Sequence, residues 1–87
     1  MWITAIASCV TPDGVTGPVD ASPKNFKATL KEAIEETKAM AKQYSKGVHL
    51  YIGIGYKDQC SICFDKEELD LIHSTGVELH LDVWEEE

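Results

Sequence analysis

Hydrophobic periodicity changes repeatedly along this chain, and the order of the changes leaves few folds open. Residues 2–10 carry a loose period of two, 22–46 recur at three and four, 48–56 and 59–64 alternate, 66–75 return to helical spacing, and 77–84 alternate again. The segments read strand, helix, strand, strand, helix, strand. They fit into 87 residues, a length that holds one domain spanning 1–87. A chain this short buries roughly 60–65% of its unfolded surface, so every segment must contribute to a shared core.

The boundaries carry their own chemistry. Ser22-Pro23 suits a helix start, Ser as N-cap and Pro at the first helical position where a missing N–H costs nothing, and Gly47 suits its end. Between them Phe26, Leu30, Ala33, Ile34, Thr37, Met40, Ala41 and Tyr44 share one face. Asp65 and Glu68 have the spacing of a capping box, Leu69 and Ile72 face inward, and Gly76 stops the second helix. The strands point Val48, Leu50, Ile52, Ile54 and Tyr56 inward, then Cys60, Ile62 and Phe64 after a short turn at Lys57-Asp58, then Val77, Leu79, Leu81 and Val83. Residues 11–21 hold Pro12-Asp13-Gly14 and Gly17-Pro18 and read as a long loop, a candidate lid; 85–87 read as a frayed acidic tail.

This order of elements is that of an α+β, ferredoxin-like βαββαβ sandwich. The expectation is a four-stranded antiparallel sheet, strand order 4-1-3-2, with two helices on one face and the other face open. Leu30, Ile34, Ile52, Ile62 and Leu81 are expected in one core. From Lys46 onward, Phe64, Glu68-Leu69, Gly76 and Leu79-His80-Leu81-Asp82-Val83-Trp84 resemble a family of small bacterial domains of unknown function, which implies the same fold for that half and no chemistry.

Charge narrows the functional classes. Net charge is −7 and none of the eight basic residues is Arg, the usual reader of phosphates and guanine edges, so conventional nucleic-acid binding is disfavoured. The absence of Arg also removes an Arg-plus-Asn phosphate cradle of the acylphosphatase type. Residues 24–46 carry six Lys and three Glu, net +3, while the remainder carries two Lys against twelve acids, net −10. Lys24, Lys27, Lys31, Lys38, Lys42 and Lys46 flank the apolar helix face and are expected to pair with nearby acids rather than to form a docking ridge. Apolar stretches are shorter than the roughly 18 residues of a membrane span, so no membrane role is expected. Ile6-Ala7-Ser8-Cys9 imitates a lipoprotein cleavage box, but no Lys or Arg precedes it, and a strand is the expectation there. Three cysteines, an odd number, suit free thiols in a reducing cytoplasm.

No catalytic signature lies on this frame. Cys60-x-x-Cys63 has a metal-ligand spacing, but on a strand the two thiols point to opposite faces, so neither a metal nor a cofactor is expected there. His49, Tyr51, Glu78, His80, Asp82 and Trp84 fall on the open face and form the candidate binding surface, with Gly53 and Gly55 leaving bare backbone beside the rings. In a 4-1-3-2 sheet His49 and His80 sit on opposite edges, about 15 Å apart at about 4.8 Å per strand, too far to share a ligand, and a Cys-His catalytic pair fails on the same distance. The functional expectation is a small acidic protein-binding module of inhibitor or immunity type and not an enzyme, its partner another protein. Two alternatives are a homodimer with a housekeeping role and a small-ligand or metal-binding sandwich with 11–21 as its lid.

Overall fold

The computed structural model describes residues 1–19 and 22–86. It is an α+β fold with one four-stranded sheet and two helices. The strands are β1 (Trp2–Thr11), β2 (Gly14–Thr16), β3 (His49–Tyr56) and β4 (Glu78–Glu85); the helices are α1 (Phe26–Gln43), entered through a 3-10 turn at Pro23–Asn25, and α2 (Lys66–His73). Sheet order is β2-β1-β3-β4. β1 runs antiparallel to β2 and β3, whereas β3 and β4 are parallel.

The mixed sheet corrects the all-antiparallel ferredoxin-like order, and two local events explain it. Thr11–Gly14 closes a hairpin inside the segment expected to be a loop, so β2 occupies one edge of β1, with Thr11 Oγ1 donating to the Gly14 carbonyl and accepting from Asp13 N–H. β2 takes the Cys9–Thr11 end of one side of β1 and β3 takes the other side, and residues 59–64 join no strand. They run as unpaired chain, tied to the start of β1 by Lys57 N–H to the Met1 carbonyl and by the Trp2 indole N–H to the Ser61 carbonyl. Their alternation is nevertheless real, because Cys60, Ile62 and Phe64 pack partly buried against the core. The chain from residue 57 to 77 thus becomes a crossover through α2, and a crossover of this length returns its strand parallel.

The core forms on one side of β1 and β3. Ala5, Ala7, Leu50, Ile52 and Ile54 meet Phe26, Leu30, Ala33 and Ile34 of α1, and Ile72 of α2 reaches the same cluster. Small alanines on β1 let α1 approach closely, and Trp2 meets Phe26 edge-on at 5.6 Å. Cys9, in the would-be cleavage box, is fully buried in β1. The capping box forms as expected: Asp65 accepts from Glu68 N–H at 2.8 Å and Glu68 accepts from Asp65 N–H at 3.0 Å. Lys27 reaches Asp65 at 3.1 Å and Lys31 reaches Glu67 at 3.5 Å, so two of the helix lysines clamp α1 to the start of α2.

Of the five expected core residues, Leu30, Ile34 and Ile52 are buried, Ile62 is partly buried and Leu81 is not. Leu79, Leu81 and Val83 do face the core side, as partners of Leu50, Ile52 and Ile54, yet they are 38%, 48% and 41% exposed. The strand phase is right and the cover is missing, since β4 is the edge strand furthest from α1. The acidic end also differs from a frayed tail: Glu85 belongs to β4, and Glu86 N–H donates to the Tyr56 carbonyl. Positions 20, 21 and 87 of the expected loop and tail lie outside the described residues.

Candidate functional site

Parallel pairing of β3 and β4 decides what the face opposite the core can do. His49 stands beside Glu78, Tyr51 beside His80, Gly53 beside Asp82 and Gly55 beside Trp84. Alternation places all eight on one side of the sheet, so the six residues expected on the open face occupy two neighbouring strands. The separation foreseen for His49 and His80 is overturned. Their rings stack with centroids 3.9 Å apart and planes 22° from parallel, because β4 lies against β3 and not across the sheet from it.

Each side chain has a definite partner. His80 Nε2 lies 3.1 Å from Glu78 Oε2, and Tyr51 donates its hydroxyl to Asp82 Oδ2 at 3.2 Å. His49 is held below the usual imidazole range, first by burial and then by the neighbouring His80, with Glu78 acting against both. Burial pushes the Tyr51 phenol up, and its bond to the Asp82 carboxylate adds to the shift. At neutral pH the face therefore carries a neutral His49 and a neutral Tyr51 phenol.

The two large rings do not stand out into solvent. A Cβ at Gly53 would fall 2.9 Å from the Tyr51 hydroxyl and 3.1 Å from the Trp84 ring, and one at Gly55 would fall 2.8 Å from Trp84 Nε1. Tyr51 and Trp84 thus lie over bare backbone, the arrangement in which an aromatic ring covers a strand glycine. Glu86 crosses the same strip, accepting from Thr4 Oγ1 at 2.8 Å. The result is a half-buried aromatic floor edged by carboxylates.

At the His49 end the floor opens into a groove of about 410 Å³ between the starts of β3 and β4, where Lys46 joins His49, Glu78 and His80. Lys46 lies beyond the helix to which its spacing assigns it. Since α1 ends at Gln43, its position is set by the turn that leads into β3. Cys63 is exposed on the crossover and Cys60 packs toward the core, so neither thiol is near this face. Among the described residues no three His, Cys, Asp or Glu side chains gather as metal ligands, and no helix is long and apolar enough to cross a membrane. Comparison with protein-family models, curated proteins and solved structures finds no match, so the likeness of the segment from Lys46 onward to small bacterial domains carries no further weight.

Proposed function

We propose that this chain is a protein-binding module of inhibitor or immunity type, without catalysis of its own, that captures a basic protein through the β3–β4 face opposite the core. One observation carries the reading: His49, Tyr51, Glu78, His80, Asp82 and Trp84 share two adjacent strands as an aromatic floor between carboxylates. Rigid rings supply contact area at little conformational cost, and a net charge of −7 draws a cationic partner in and speeds encounter. The reading takes both helices to lie on the Leu50 side, leaving the opposite side free, and takes the cytoplasm as the site of action. No catalytic step is assigned, since His80 is engaged by Glu78 and stacked on His49.

The test is capture from an extract of the native host, followed by titration of the isolated partner against variants whose far-UV circular dichroism matches wild type. Trp84→Ala and Tyr51→Ala are expected to weaken binding by roughly 2 kcal/mol each, mainly through faster dissociation. Glu78→Lys and Asp82→Lys are expected to slow association and flatten its dependence on salt. A partner that binds all four variants like wild type removes this face from consideration. A second reading, small-ligand binding, is favoured by the groove that gathers Lys46, His49 and His80. It predicts ligand-induced shifts of the two imidazole signals in NMR spectra, with Trp84→Ala leaving the affinity unchanged.

A further inference from the structure

β4 leaves two kinds of surface unsatisfied at the same edge. Its outer backbone pairs with no strand among the described residues, along all eight positions from Glu78 to Glu85. Beside that edge, Leu79, Leu81 and Val83 form an apolar row on the α1 side of the sheet, 38–48% exposed, although their partners Leu50, Ile52 and Ile54 are completely buried. Most protections of an open edge are missing, because β4 contains no Pro, no Lys and no bulge, and its apolar-side positions are uncharged except for Glu85 at the very end. A regular strand of this kind is a template for another strand.

The residues themselves say which strand fits. Antiparallel pairing of β4 with a second β4 keeps both apolar rows on one face only in registers related by steps of two; a one-residue slip sets leucines against carboxylates. Four such registers pair five or more of the eight positions; one of them, with Val83 opposite Val83, sets Leu81 against Glu85 and is poor on the apolar face. With His80 opposite His80, Glu78 faces Asp82 of the other copy. With Asp82 opposite Asp82, two carboxylates meet directly and Glu78 faces Glu86. With Leu81 opposite Leu81, each His80 faces Asp82 of the other copy, Leu79 faces Val83, and Glu78 faces Trp84. Directly opposed like charges destabilise a pair, so the register centred on Leu81 alone avoids opposed carboxylates on one face and keeps apolar contact on the other.

We propose that two copies of this chain associate by antiparallel pairing of their β4 edges about Leu81, extending the sheet to eight strands and covering the Leu79, Leu81 and Val83 row. Backbone bonds along the edge supply affinity, and the His80–Asp82 pairs set the register. Leu81 faces away from the aromatic floor, so Leu81→Lys tests this contact without altering the floor that captures a partner.

The experiment is sedimentation velocity of the full chain across a hundredfold range of concentration, with circular dichroism as the check on folding. Wild type is expected at twice the mass of one chain when concentrated and to dissociate on dilution. Leu81→Lys, a change at a half-exposed position, is expected to keep the spectrum and remain a single chain throughout. His80→Glu places two carboxylates in opposition and is expected to weaken association about tenfold; adding Asp82→Lys to it sets Lys against Glu and recovers the affinity. A wild type that stays single at every concentration overturns the proposal, as does a chain that pairs only with a foreign strand-forming peptide. A dimer that survives Leu81→Lys overturns it too, and a double variant no tighter than His80→Glu alone overturns the register.

Discussion

Ile52 and Leu81 stand side by side in the β3–β4 register, on the same side of the sheet, and their truncation to Ala is expected to have unequal consequences. Both changes remove three carbons. At Ile52, which has no exposed surface, the loss is about 0.8 kcal/mol per carbon in transfer free energy, or about 2.4 kcal/mol. A cavity among Ala7, Leu30 and Ile34 adds about 1 kcal/mol more, because packed surroundings relax only partly. Leu81 is 48% exposed, so about half of its transfer energy is absent from the start and no closed cavity forms; the expected loss is about 1 kcal/mol. Total stability for 87 residues is about 4–13 kcal/mol, so the Ile52 variant loses a large share and the Leu81 variant a small one. Urea unfolding followed by tryptophan fluorescence, in dilute protein so that single chains are measured, gives both values if the slope m is unchanged. Equal losses at the two positions would refute the argument, since they would mean that something within one chain covers β4 as fully as β3.

Two further outcomes concern titration. Asp65 is held below the usual carboxylate range by the Glu68 N–H and then by Lys27, so its contribution to stability is present above that range and is lost as pH falls into it. The melting temperature of Asp65→Ala is therefore expected below that of wild type at neutral pH, with the gap narrowing as pH falls through about 4. His49 is held below the usual imidazole range, so folding favours its neutral form and stability falls as pH drops from about 7 toward 5. His49→Gln is expected to flatten that part of the stability profile, and an unchanged slope in thermal melts would show that the stacked pair is not what titrates.

Local chemistry was legible throughout. The buried face of α1 follows from the spacing of Phe26, Leu30, Ala33, Ile34 and Thr37, and the start of α2 from the Asp65–Glu68 spacing, because each involves residues within a turn or two of one another. The members of the candidate site were legible as well, since alternation puts Tyr51, His80, Asp82 and Trp84 on the polar side wherever their strands lie. That the rings would lie down over Gly53 and Gly55 was less accessible: the bare backbone is visible in the sequence, but the choice of a glycine as the resting place depends on which strand is adjacent.

What the sequence by itself determined is the phase of the strand segments and of α1, including the inward set Cys60, Ile62 and Phe64 that packs without ever pairing; in α2, Ile72 is buried as expected but Leu69 is exposed and Leu71 packs in its place. What only the tertiary structure decided is which edges meet and in which direction. A period of two states which face a side chain takes, and it is silent about the neighbour on either side, because backbone donors and acceptors are the same in every strand. Three residues of hairpin, Gly14–Thr16, pair with the Cys9–Thr11 end of β1, β3 takes its other side, and 59–64 run as crossover. The same step carried β4 to the far side of β3, brought His80 onto His49, and left Leu79, Leu81 and Val83 facing the core side without a cover.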